Sequence, residues 1–143
     1  MFAIEAVLDI AVHGTDAAVR STDITRRQKI PRRYLEQVLQ HLVRAGILAG
    51  KRGPNGGYRL GRERRRISLG DIVRVVRTLE VDSEPSSAVV GSPLAHDVVW
   101  PIWKELREEL MRKLDAVTIE ELCRRARERG GRTEPPARAD YAI

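Results

Sequence analysis

The sequence predicts a mainly α-helical chain: a winged helix–turn–helix of three helices and a β-hairpin wing, followed by a long C-terminal helix suited to dimerisation. Three observations predict it. Segments with helical apolar spacing fill the chain between Phe2 and Arg44. Directly after them, "ILAGK" and "GYRL" flank a Pro-Asn-Gly-Gly stretch. Far downstream, apolar residues recur every three or four positions from Val99 to Val117.

Each element has its own signal. Ile4, Val7, Leu8 and Ala11 mark a helix from Phe2 to about His13, ended by Gly14-Thr15-Asp16. Ser21 before "TDITRRQ" reads as an N-cap with Asp23 in the first turn of a short second helix. Pro31 suits the first position of a third helix, where its missing N–H costs no bond. Leu35, Val38, Leu39, Leu42 and Val43 form one stripe along that helix, and Gly46 is placed to cap its end. The two short apolar runs pair around the turn Pro54-Asn55-Gly56-Gly57. Ser68 to Asp71 and Thr118 to Glu121 are two capping boxes, opening helices from Leu69 to about Glu80 and from Ile119 to about Arg129. Between them a long helix begins near Trp100, with Pro101 in its first turn. The organisation expected is a DNA-binding domain over 1–66, a helix and linker loop over 67–97, dimerisation helices over 98–130 and a disordered tail over 131–143.

Composition narrows the function. The chain of 143 residues is 42% hydrophobic and 32% charged. No apolar run of about 18 residues exists to span a membrane. The opening "MFAIEAVLDIAVHG" carries Glu5 and Asp9 and lacks a basic start, so it reads as an amphipathic helix rather than a signal peptide. A cytoplasmic location is expected. Met1 to Arg66 holds 14 Lys+Arg against 6 Asp+Glu, while the rest of the chain holds 12 against 14. Basicity concentrated in one half is what phosphate neutralisation needs.

In a helix–turn–helix, the start of the second helix of the motif reaches base edges in the major groove. Here that start is Pro31-Arg32-Arg33-Tyr34-Leu35-Glu36-Gln37. With Leu35 and Val38 inward, Arg32, Arg33, Tyr34, Glu36 and Gln37 are left outside. Arg forks onto guanine, Gln onto adenine, and Glu accepts from cytosine; Tyr34 suits a phosphate or a thymine methyl. Arg52, beside the thin hairpin tip, suits a narrow minor groove, with Lys51 and Arg59 on phosphates. Ser21 joins this DNA-binding set at the start of the second helix. The arginines of "GRERRR" fit either phosphates or a solvated exit from the hairpin.

"IPRRYLEQVLQHLVRAGILAGKRGPNGGYRL" resembles the signature of the Rrf-type winged-helix regulators, the bacterial family that includes IscR, NsrR, RirA and CymR. "YLEQ" and "RGPNGGYRL" carry most of the likeness, which covers roughly Met1 to Arg129. The resemblance implies a homodimeric DNA-binding transcription regulator, in most members a repressor. It implies that Arg33, Glu36 and Gln37 touch bases and that Arg52 enters the minor groove.

The sequence also departs from the family. Members usually begin a few residues earlier, with a short basic segment; here those phosphate contacts are missing, or the true start lies upstream of Met1. Cluster-binding members carry three cysteines in the loop after the fourth helix. This chain has Ser83, Ser86, Ser87 and Ser92 there, and Asp97 at the last cysteine position. Serine is a poor iron–sulfur ligand, so no cofactor is expected. Cluster-free members act as apo-regulators, some controlled by a partner enzyme of cysteine synthesis or by thiol state, which makes a regulatory protein partner a further expectation.

Val99, Trp103, Leu106, Leu110, Leu114 and Val117 approximate a heptad seam, with "KELREEL" on its polar sides. An internal core stripe is the competing reading. A palindromic operator favours the dimer, with long helices crossing antiparallel to space the readers by about 34–36 Å or a multiple. Cys123 is either a small buried hydrophobe or a thiol sensitised by Arg124 and Arg125. His96 and Asp97 are candidate metal ligands; with Cys123 they define an alternative, a metal- or redox-sensing regulator. A second alternative is an interaction module docking an acidic protein. Glu5 and Asp9 lack a matching base, nucleophile or phosphate loop, so no enzyme is expected.

Overall fold

The computed structural model describes residues 1–15, 17–81 and 91–129, with the backbone alone at 80 and 81. The expected linker serines Ser83, Ser86 and Ser87 and the tail over 131–143 lie outside these residues. Three helices come first: α1 (Phe2–His13), α2 (Ser21–Gln28) and α3 (Arg32–Arg44). An antiparallel hairpin, β1 (Leu48–Lys51) with β2 (Gly57–Leu60), follows in the register Leu48↔Leu60 and Lys51↔Gly57. A single 3₁₀ turn at Arg64–Arg66 leads to α4 (Leu69–Val81), α5 (Trp100–Ala116) and α6 (Ile119–Glu128).

Apolar periodicity builds the core. Ala6, Val7 and Ile10 of α1 meet Ile24 of α2 and Leu35, Val38, Leu39 and Leu42 of α3, all but fully buried. Helix α3 ends in a Schellman motif. The Ile47 N–H donates to the Leu42 carbonyl and the Gly46 N–H to the Val43 carbonyl, each at 3.0 Å. Gly46 is at φ 77°, left-handed backbone that a Cβ disfavours. The cap expected there is present, one position beyond Ala45.

Two other caps differ from expectation. Arg20, not Ser21, is the N-cap of α2, with extended backbone and no side-chain cap bond; Ser21 is the first helical residue. The reason is tertiary. Val19 and Tyr58 exchange two backbone hydrogen bonds, at 2.9 and 2.7 Å, which hold the chain extended up to the start of α2. Pro31 likewise is the N-cap of α3, its ψ of 126° extended, and its carbonyl accepts from Leu35.

The Ser68 box forms fully: Ser68 N–H donates to Asp71 Oδ2 and Asp71 N–H to Ser68 Oγ, both at 3.0 Å. The Thr118 box forms by half. Glu121 N–H donates to Thr118 Oγ1, but the Glu121 carboxylate turns to Arg124 and Arg125. Two guanidiniums outcompete one backbone N–H.

The long helix α5 starts at Trp100 as expected, with Pro101 in its first turn, but it is preceded by further helical backbone. Helical backbone runs from Pro93, with a π-turn over Ala95–Val99 in which Trp100 N–H donates to the Ala95 carbonyl. Pro101 has no N–H for the i−4 carbonyl and its ring crowds it, and a π-turn is a usual accommodation of such an interruption. The packing also crosses the expected boundaries at 66 and 98. Ile67, Ile72, Ile119 and Cys123 belong to the same core as α1. Leu69 N–H donates to Val117 O and Ile119 N–H to Ile67 O, so α6 returns to the N-terminal half rather than extending a separate unit.

Candidate nucleic-acid interface

Helix α3 turns its apolar stripe inward and leaves the candidate reading surface outside. Leu35, Val38 and Leu39 are at most 1% exposed, which leaves Arg32, Arg33, Glu36, Gln37 and Gln40 on the open side. Arg32 Nε donates to Glu36 Oε1 at 3.1 Å, one turn along. Such an exposed pair is worth a few tenths of a kcal/mol, so it yields readily to a better partner. Tyr34 sits differently from its neighbours. It is half-buried, with its ring edge-on to Phe2 at 5.7 Å between centroids, and so braces the start of α3 against α1.

The wing stands beside this helix. Its turn is Gly53-Pro54-Asn55-Gly56, closed by Gly56 N–H to Gly53 O at 2.9 Å. That is one residue earlier than expected, with Pro54 at the second turn position that favours it. Gly57 instead opens β2 at φ 151°, and a Cβ there would collide with the Val19 carbonyl. Close backbone approach therefore decides the register. Lys51, Arg52 and Arg59 are exposed, and Ser21 is half-exposed. A groove of about 610 Å³ separates wing from reader helix, lined by Gln40, Arg44, Lys51, Arg52 and Tyr58 among others. Arg20 crosses to the wing and donates from Nη2 to the Pro54 carbonyl.

The candidate reader helix is positioned through a buried carboxylate, paired with a half-buried arginine, that the sequence did not reveal. Asp9, with no exposed side chain, accepts from Arg27 at 3.0 and 2.7 Å and from Gln28 Nε2 at 2.8 Å. His13 adds Nδ1 against the Asp9 carbonyl at 3.0 Å. These contacts fasten the end of α2 to α1, and α2 in turn abuts α3. The acidic residue alone gave no signal, since its partners lie 18 and 19 positions away. Arg64 ties in a second place, donating to the Ala11 carbonyl at the open end of α1 at 2.6 Å, so this arginine of "GRERRR" is structural.

Comparison with known proteins decides what this scaffold is. The Rrf2 family, described as iron-dependent transcriptional regulators, matches residues 1–125. The chain belongs to the Rrf2 family. The HTH-type transcriptional regulator IscR of Yersinia pseudotuberculosis serotype O:1b (strain IP 31758) is 34% identical over 122 residues, 85% of this chain and 74% of that protein. The solved structure of T. potens IscR is similar with a TM-score of 0.70 at 31% identity, covering 90% of this chain and 85% of that one. CymR (YrzC), the global cysteine regulator of B. subtilis, gives 0.64 at 28% identity over 85% of this chain and 90% of that one. As an Rrf2 protein it is a winged-helix, DNA-binding transcription regulator and not an enzyme. Among the described residues no helix is long and apolar enough to cross a membrane.

The Rrf2 description names iron, and the donors of this chain fit a cluster poorly. Its single thiol is Cys123. That side chain is 1% exposed within the core, where burial pushes its pKa up and Arg64 only partly offsets the rise. Of the two readings of Cys123 the buried hydrophobe fits; Arg124 and Arg125, which the sensing alternative needs beside the thiol, are paired with Glu121 on the exposed side of α6. A cluster bound through cysteine thiolates has no such set here. His96 Nδ1 lies 2.8 Å from Asp97 Oδ1, both well exposed, but among the described residues no group of three His, Cys, Asp or Glu could hold a metal ion.

Proposed function

We propose that this Rrf2 protein is a homodimeric cytoplasmic repressor that occupies a palindromic operator without an iron–sulfur cluster. The observation that carries the two-fold reading is on α5. Val99, Trp103, Leu106 and Leu110 are 55–60% exposed in the single chain. Among the described residues nothing covers this row, as the competing role of an internal core stripe would require. Leu114 is half-buried at the end that joins the core. A contiguous apolar row of this size marks an interaction surface, and a second copy offers a self-complementary one. Two α5 helices packed antiparallel along this seam present two α3 helices to successive major grooves.

In this reading Arg33, Glu36 and Gln37 contact base edges. Arg32 and Ser21 contact the backbone, and Tyr34 does so through the edge it leaves open. Arg52 enters the minor groove with Lys51 and Arg59 on its walls. The one buried thiol supports a cluster-free regulator. Selection of bound duplexes from a random pool, combined with mass measurement of the complex, tests this directly. A palindromic consensus bound by two chains is expected. Binding to selected duplexes no tighter than to random DNA at equal salt overturns the reading, as does a complex with one chain.

A further inference from the structure

We propose that Arg20 completes a phosphate-binding cradle on the outer face of the wing, with Lys51 and Arg59 as its other two cations and a DNA phosphodiester as its ligand. The inference rests on the reading that the wing enters a minor groove.

Cross-strand pairing places the cradle. Ala49 faces Arg59 and Lys51 faces Gly57, so Lys51 and Arg59 share one face of the hairpin. Leu48, Tyr58 and Leu60 occupy the other and pack on the core. The segment entering α2 lies along the outer edge of β2 through the Val19–Tyr58 bridge. It brings Arg20 to the same side. A cavity of about 380 Å³ results, lined by Arg20, Lys51, Asn55, Gly56 and Arg59 together with the residues before Val19. None of its described lining residues is acidic. Arg20 is fixed there by a hydrogen bond to a neutral acceptor, the Pro54 carbonyl. Its charge is thus positioned without being neutralised. The start of α2, at the next residue, adds the positive end of a helix dipole.

Geometry makes the ligand a backbone phosphate. A hairpin tip inserted in a minor groove has one sugar–phosphate strand against each face. On the inner side lies the groove toward α3, which Lys51 also borders; on the outer side lie Arg20 and Arg59 with Lys51 at the edge between them, and this side suits the other strand. The sequence hid the role of Arg20, because nothing in the chain between Val19 and Pro54 signals that the two ends meet.

The test uses the full-length protein and its selected duplex, with a scrambled duplex beside it, over a range of salt. Loss of one phosphate contact makes the salt slope shallower by about 0.9, which corresponds to about eightfold weaker binding at 0.1 M salt. Arg20→Ala is expected to show both changes, on both duplexes alike, while Arg20→Lys keeps the wild-type slope. Single methylphosphonate linkages then scan the duplex. The linkage that weakens wild type at the wing should leave Arg20→Ala unaffected, a comparison that needs no assumption about folding of the variant. An unchanged slope for Arg20→Ala, or a loss confined to the selected duplex, overturns the cradle and leaves Arg20 as a brace of the wing. Failure of the underlying reading looks different: Arg52→Ala then leaves preference for A·T-rich flanks intact.

Discussion

Helices α3 and α5 carry similar apolar rows and meet opposite fates. In α3 the row Leu35, Val38, Leu39, Leu42 is buried within its own chain. In α5 the row Val99, Trp103, Leu106, Leu110 stays open, although the C-terminal end of the helix is firmly held. Arg74 Nη2 donates to Asp115 Oδ2, and Val117 bonds back to Leu69. The same periodicity therefore means core in one place and an unfilled surface in another. What separates them is what each helix packs on: α1, α2 and α3 lie against each other, whereas α5 meets the core chiefly at its final turns.

The largest expected effect breaks the open row. Replacing Leu106 and Leu110 by Glu puts like charges across the proposed two-fold seam. The chain should sediment as a folded monomer and bind the full operator about 10²–10⁴-fold more weakly, the factor that linked half-sites supply. Unchanged mass and affinity would place the dimer contact elsewhere. Next comes Asp9→Ala, which strikes the closed region. It removes the buried carboxylate that accepts from half-buried Arg27 and from Gln28, and about 1–3 kcal/mol of unfolding free energy should be lost in denaturant titration. A loss below about 1 kcal/mol would show that α2 is held by apolar contacts alone.

The smallest effect lies at the junction of the two regions. The hydrogen bond from Arg74 holds the Asp115 carboxyl below the usual carboxylate range, against a smaller opposing push from burial. Its folded-state pKa is depressed. The stabilisation is therefore fully present above the ordinary value of about 3.9 and is lost as pH falls through the lower folded one. Arg74→Ala should lower stability slightly at neutral pH, where the contribution is fully present, and make no difference at the acid end, so that the loss of stability across that window is flatter than in wild type. Calorimetry between pH 2 and 7 checks it.

The legible parts of the fold were those written locally. The spacing of Leu35, Val38, Leu39 and Leu42 specifies an inward face and, by subtraction, the outward Arg33, Glu36 and Gln37. Ser68 and Asp71 cap their helix because both lie within one turn. Misplaced features were those where distant backbone intervened. Val19 pairing with Tyr58 moved the start of α2, and room beside the Val19 carbonyl moved the wing turn. The Asp9–Arg27–Gln28 cluster and the Arg20 contact were invisible for the same reason, since their charges come together only when α1, α2 and the wing are assembled.

By itself the sequence determined the helices, the hairpin, the basic half and the outward polar face of α3, because each depends on neighbours a few residues apart. Tertiary structure decided the rest: the return of α6 to the core, the burial of Cys123 and Asp9, and the exposure of the α5 row. Those outcomes depend on which surfaces other elements reach, a property of the whole chain's path through space that no local spacing encodes.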